Sequence, residues 1–186
     1  TKAENNSQEA LIEEMTAQQN LIKKKIPINH KKIGDLYFKQ YTTGNGDKKQ
    51  GYIKAITNYE KCFQNDVTVC LALAKLFHNG LVDSYDKNGV KVPGIDPDAE
   101  KSIFFYTKAS QLGDGDALLQ MADIYHWGLS GFNTNKEYAK QLYVLLRKIG
   151  NGYQKGIARD RLLQIKEEDG TVIGAGLTAA GGVMGD

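Results

Sequence analysis

Self-similarity constrains this chain more than any other feature. Leu36-Tyr37, Leu76-Phe77 and Ile124-Tyr125 recur at intervals of 40 and then 48 residues, each near the end of a helical pattern. A second set, Lys54-Ala55-Ile56, Lys101-Ser102-Ile103 and Lys140-Gln141-Leu142, recurs at intervals of 47 and 39. The unequal intervals place the length variation in loops, where insertions cost little. A unit of this size is one helix pair, and such a pair cannot bury its apolar face alone. Repetition therefore predicts stacked helical hairpins.

The reference copy is the stretch Asp98 to Gly128. There Asp98, Lys101, Tyr106, Lys108-Ala109, Gly113, Ala117, Ala122, Ile124-Tyr125 and Gly128 resemble the pattern of Sel1-like repeats, relatives of the tetratricopeptide class. An earlier unit resembles it at Gly34, Leu36-Tyr37, Lys54-Ala55, Tyr59 and Lys61. The likeness covers roughly residues 29–168. It departs from the pattern at Gln40, where a glycine is usual, at Gln141, where alanine is usual, and at Leu145, where tyrosine is usual. The resemblance implies an all-α fold, a right-handed superhelix (α-solenoid) of antiparallel helix pairs.

Periodicity and punctuation divide the chain into three parts. Residues 1–28 form an N-terminal capping helix, striped by Ile12, Met15, Gln19, Ile22 and Ile26 and ended by Pro27. Residues 29–168 form the repeat array. Asn29 caps its first helix, a second runs from about Gly51 to Phe63, and a third from Val67 to Asn79. Asp86-Lys87-Asn88-Gly89 is a turn signal, with Val90 and Val92 placed for a small hairpin. Asp96 caps the next helix with Pro97 at its first position, and Asp116 opens the one after. A helix over 135–149 turns Tyr138, Leu142, Leu145, Leu146 and Ile149 inward, and a last one runs from about Gln154 to Glu168. Residues 169–186 form a glycine-rich, apolar tail.

Cys62 and Cys70 stand at the places that Ala109 and Ala117 hold in the reference copy. That placement resembles the cysteine-rich branch of Sel1-like proteins, where such pairs are disulfides inside a hairpin. The resemblance implies a Cys62–Cys70 disulfide and with it an oxidising compartment: periplasm, exterior, secretory lumen or mitochondrial intermembrane space. The residues alone also allow two reduced thiols acting as small apolar side chains, which would leave a cytoplasmic location.

No catalytic group emerges. No serine or cysteine nucleophile has a base close in sequence, and no phosphate-binding loop is present. The residues supply no metal site and no cofactor site. His78 and His126 occupy equivalent repeat positions and are expected exposed at helix C-termini. His30 is expected solvated. Ser84 to Ile95 fails as a calcium loop at its first and last ligand positions. Asp96, Asp98 and Glu100 read as helix capping. A net charge of +2 with interspersed charges excludes a dedicated nucleic-acid binder and makes membrane contact a poor fit. No secretory signal pattern stands at the start of this sequence, which opens at Thr1.

Two features exceed what a scaffold needs. Trp127 is the only tryptophan, and with Lys75, His78, Asn79 and His126 it is expected to line a protein partner's site. The tail residues Val172, Ile173, Leu177, Val183 and Met184 are expected to dock as a second attachment. The functional expectation is a non-catalytic interaction scaffold, or a structural subunit of an assembly. The alternative is a groove-binding enzyme or small-ligand binder, for example the β-lactam binding or hydrolysis that the cysteine-rich resemblance implies.

Overall fold

The computed structural model describes residues 13–17, 28–44, 47–86 and 88–180, the last ten as backbone only. The chain forms two compact units, residues 1–112 and 113–186. The division falls at the turn carrying Gly113, inside what the sequence presents as one array. Both units are built from antiparallel helix pairs with one short hairpin inserted in the first.

In the first unit, α1 spans His30–Thr43 and α2 spans Lys48–Tyr59. Asn29 accepts from Lys32 N and Asp47 from Gln50 N, so each helix start has a side-chain cap. Two glycines let this pair close tightly. A Cβ on Gly34 would lie 2.6 Å from the Tyr59 ring, and one on Gly51 would lie 3.0 Å from Tyr41 N. Each end of the hairpin thus carries one small residue under one tyrosine-bearing turn. The Tyr59 hydroxyl then donates to Asp35 at 2.8 Å.

The second pair of that unit is α3, Val67–Asn79, and α4, Ala99–Gln111. Phe77 stacks on Phe105 with ring centres 5.7 Å apart, and Ser102 Oγ donates to Ala74 O at 3.1 Å. Tyr52 reaches from α2 to donate to Leu76 O at 2.8 Å, tying the two pairs together. Between α3 and α4, β1 (Ser84–Tyr85) pairs antiparallel with β2 (Lys91–Val92). Asp86 accepts from Asn88 N and Val90 N, which closes the tip of the hairpin as a turn. At its base Leu81 bridges to Ile95.

The second unit holds α5, Gly115–Trp127, then a 3₁₀ turn at Leu129–Gly131, then α6, Lys136–Ile149, and α7, Gly152–Ala180. Asn151 and Gln154 form a reciprocal capping box that starts α7. The Gln154 amide also donates to Asp116 at 2.8 Å and so joins α7 to α5.

Several boundaries differ from expectation. Asp98, not Asp96, caps α4, because its own N–H is held by Phe77 O at 2.8 Å. Asp114, not Asp116, caps α5, and Asp116 is used by Gln154 instead. The glycine-rich stretch expected as a tail from residue 169 is helical backbone as far as Ala180, continuous with α7. Of the expected capping helix, residues 13–17 are described and are helical, with Glu14 paired to Lys32 at 2.8 Å.

The register of the third repeat also changes. Asn135 N bonds to Tyr125 O at 2.7 Å, as Asp98 N does to Phe77 O. These two caps are therefore equivalent, and counting from them aligns Ser102 with Ala139 and Tyr106 with Tyr143. Ser102, Ala139, Tyr106 and Tyr143 are all buried. The usual small residue and usual tyrosine are thus present at Ala139 and Tyr143. The departures assigned to Gln141 and Leu145 came from a two-residue misalignment. The buried stripe of α6 is Ala139, Leu142, Tyr143 and Leu146, while Tyr138, Leu145 and Ile149 face water.

Candidate partner-binding site

The end of α5 gathers the most unusual chemistry in the second unit. His126 was expected exposed; it is 1% accessible. Burial follows from three packed partners. The Trp127 ring stacks on it with centres 4.4 Å apart, and Tyr143 from α6 meets it edge-on at 6.0 Å. Glu168 from α7 stands 3.6 Å from its Nε2. That Nε2 is buried with no hydrogen-bond partner among the described residues.

The proton arrangement can be reasoned from Tyr143. Its hydroxyl donates to Asp123 at 2.6 Å, so its oxygen is left to accept from His126 Nδ1 at 3.4 Å. Burial disfavours the charged form and lowers the His126 pKa, with Glu168 partly opposing the shift. The Tyr143 hydroxyl is pushed well up, by burial first and then by its bond to Asp123.

Trp127 lies at the rim of this cluster and is 37% accessible. The Arg161 guanidinium sits 4.5 Å from its ring centre, a cation–π contact. Arg161 Nε also donates to Asp123 at 3.4 Å. The indole is therefore held by two neighbours while part of it remains open to water. Lys136 and Gln164 hold Glu168, at 2.6 and 3.2 Å. Lys136 and its surroundings keep the Glu168 carboxyl below the usual range.

In the first unit Lys75, His78 and Asn79 lie on the last turn of α3. Lys75 and Asn79 are exposed, while His78 is half-buried, edge-on to Tyr106 at 6.4 Å. Burial lowers the His78 pKa. The five residues expected to line one surface thus divide between the units, and His126 supports the surface from beneath instead of forming it. His30 is also less solvated than expected, since its Nδ1 meets Asn58 Oδ1 at 3.1 Å.

The two cysteines are free thiols, which corrects the disulfide that the resemblance implied. Asp66 caps α3 through Val69 N, as Asp114 caps α5 through Ala117 N. Val69, not Cys70, is therefore the counterpart of Ala117. Cys70 is wholly buried and its Sγ lies 3.1 Å from Phe63 O, while Cys62 Sγ lies 3.6 Å from Asn58 O. Burial raises both thiol pKa values, with Asp66 adding to the shift. With the pairing goes the inference of an oxidising compartment drawn from it.

The side chains of Val172, Ile173 and Leu177 and all of Val183 and Met184 lie outside the described residues. Among the described residues no group of three or more His, Cys, Asp or Glu side chains could hold a metal ion. No described helix is long and apolar enough to cross a membrane.

No family model matches the chain, and no curated protein does. Among solved structures it is similar to a Sel1 repeat protein from Oxalobacter formigenes, with a TM-score of 0.50 and 19% identity. The match covers 78% of this chain and 53% of that one, so the chain spans about half the length of its structural neighbour. At this identity the likeness concerns architecture. Together with the capped helix pairs and the equivalent cap bonds, it gives the conclusion that the chain has the Sel1-repeat fold, an all-α solenoid of antiparallel helix pairs.

Proposed function

We propose that this chain is a non-catalytic scaffold that binds a protein partner, with Trp127 as an anchor of the contact. The observation that carries the reading is the state of Trp127. It is partly exposed, yet fixed by His126 on one side chain contact and Arg161 on another. Ordering a free indole on binding costs about 0.5–1.5 kcal/mol, and here much of that ordering precedes contact. Tryptophan and arginine are the residue types most enriched where interface energy concentrates.

Lys75 and Asn79 are candidate contacts on the first unit, and the segment after Asp169 is a candidate second attachment. The described titratable clusters support this reading over catalysis. Tyr143 and Arg161 are both committed to Asp123, and Glu168 to Lys136, through hydrogen bonds and ion pairs, and His126 is sealed behind them. The test is partner retention by Trp127→Ala and by truncation after Asp169, both compared with the intact chain. Loss in either variant with helical content preserved supports the scaffold. Full retention in both means the contact lies elsewhere.

A further inference from the structure

We propose that the groove between α1 and α2 is a binding site for a small monocarboxylate with an apolar body, such as a medium-chain fatty acid. The groove is a cavity of about 340 Å³, within the range of small-molecule pockets. Its apolar side is made by Met15, Ile33, Leu36 and Tyr37, and its polar side by His30, Asn58, Lys54 and Lys61. None of its described lining residues is acidic.

The charges are arranged for an anionic end group. Lys54 lies on α2 and Lys61 in the turn just past its end at Tyr59, and both line the groove. The Lys54 ammonium hangs 5.1 Å from the centre of the Tyr37 ring, beside the apolar wall. The neighbouring lysines are already used: Lys31 is paired to Asp66 at 2.6 Å and Lys32 to Glu14 at 2.8 Å. Among the described residues no carboxylate pairs with Lys54 or Lys61. Both ammonium groups are exposed and open to a ligand carboxylate.

The same wall holds an oriented histidine. Asn58 Nδ2 donates to Lys54 O at 2.8 Å, which fixes the amide and leaves Oδ1 to accept from His30 Nδ1 at 3.1 Å. His30 therefore keeps Nε2 as its remaining polar atom. The donors are single-point ammonium groups, with no arginine fork. The Lys32 amide at the nearby α1 N-terminus is taken by Asn29. That set suits one carboxylate better than a phosphate, which calls for several convergent N–H donors. An apolar chain of about eight to twelve carbons fits a pocket of this size, and its burial supplies the larger share of the affinity.

This inference is independent of the partner proposed at Trp127. Its test uses the full chain with dodecanoate, dodecanol and dodecyltrimethylammonium, each below its aggregation concentration, by calorimetry and by methyl NMR of Met15 and Ile33. Dodecanoate is expected to bind saturably and to shift those methyls, about tenfold more tightly than dodecanol, the worth of one ion pair. The double variant Lys54→Glu/Lys61→Glu should lose that advantage, and Thr57→Trp, which fills the groove from its exposed wall, should block binding. Lys155→Glu on α7 should change nothing. The proposal is overturned if dodecanol or the cationic amphiphile binds as well as dodecanoate, or if no saturable binding occurs. It is also overturned if both groove variants bind dodecanoate normally, or if a peptide whose only carboxylate is its C-terminus binds more tightly.

Discussion

The Tyr143 hydroxyl donates to Asp123 across α6 and α5 at 2.6 Å, and the Tyr59 hydroxyl donates to Asp35 across α2 and α1 at 2.8 Å. The same tyrosine–aspartate tie thus holds a helix pair in each unit. The middle repeat has the tyrosine, Tyr106, but Lys75 replaces the acid. Tyr143→Phe should cost about 1–3 kcal/mol, because a half-buried Asp123 loses its shortest donor. Tyr59→Phe should cost about 1 kcal/mol, since Asp35 is open to water, and Tyr106→Phe less than either. Chemical denaturation of the three variants gives the order.

The corrected register of α6 makes its own prediction. Ala139 is buried with no accessible surface, while Gln141 and Leu145 are exposed. Ala139→Leu should destabilise by about 1–3 kcal/mol through overpacking, and Gln141→Ala should fall within about 0.5 kcal/mol of the parent. A larger loss at Gln141 than at Ala139 would restore the alignment first read from the sequence.

Much of this architecture is legible in the residues, and the failures have physical causes. Asn29 stands alone before its helix, so its capping role can be read directly. Asp96-Pro97-Asp98 and Asp114-Gly115-Asp116 each offer two caps two residues apart. The choice between them is made by distant groups, Phe77 O in one case and Gln154 in the other. The burial of His126 is invisible locally, because Tyr143 and Glu168 supply it from other helices. Trp127 was legible as an anomaly, but the arginine that holds it was not.

The pH response follows from His126. Its pKa is lowered by burial in the folded state, whereas in the unfolded chain it has the ordinary histidine value of about 6.5. Below that value the unfolded state takes up the proton first. Stability from the neutral His126 is therefore complete above about pH 6.5 and declines as pH falls toward the lower folded value. Asp123, Tyr143, Glu168, Lys136 and Arg161 surround this ring or its partners, and His78 adds a slope of the same sign. His126→Phe should flatten the stability profile between about pH 5 and 7. Because Trp127 is the only tryptophan and stacks on His126, its fluorescence should also fall on acidification, and not in the variant.

The thiols give a simple chemical check. An Ellman titration without reductant should find two reactive groups per chain after denaturation. In the native protein Cys62 should react first, because Cys70 is fully buried. Both should react slowly at neutral pH, since their raised pKa values keep the thiolate scarce.

The lower end of the pH range has a separate marker. Burial opposes it, but the bonds from Lys31, Thr68 and Val69 hold the Asp66 carboxyl at about 2. The stability that this group contributes is present above the unfolded value of about 3.9 and is lost as pH falls through about 2. With solvent screening of the exposed Lys31, the contribution is about 1 kcal/mol. Asp66→Ala should remove it together with the α3 cap, a further loss of about 1 kcal/mol.

The most direct measurement of the central claim is quantitative partner capture by the native chain and by Trp127→Ala, with circular dichroism of both. The account predicts a discrete protein complex whose affinity falls at least about tenfold in the variant, at unchanged helical content. An undiminished complex with Trp127→Ala, or substrate turnover by the isolated chain, would contradict it.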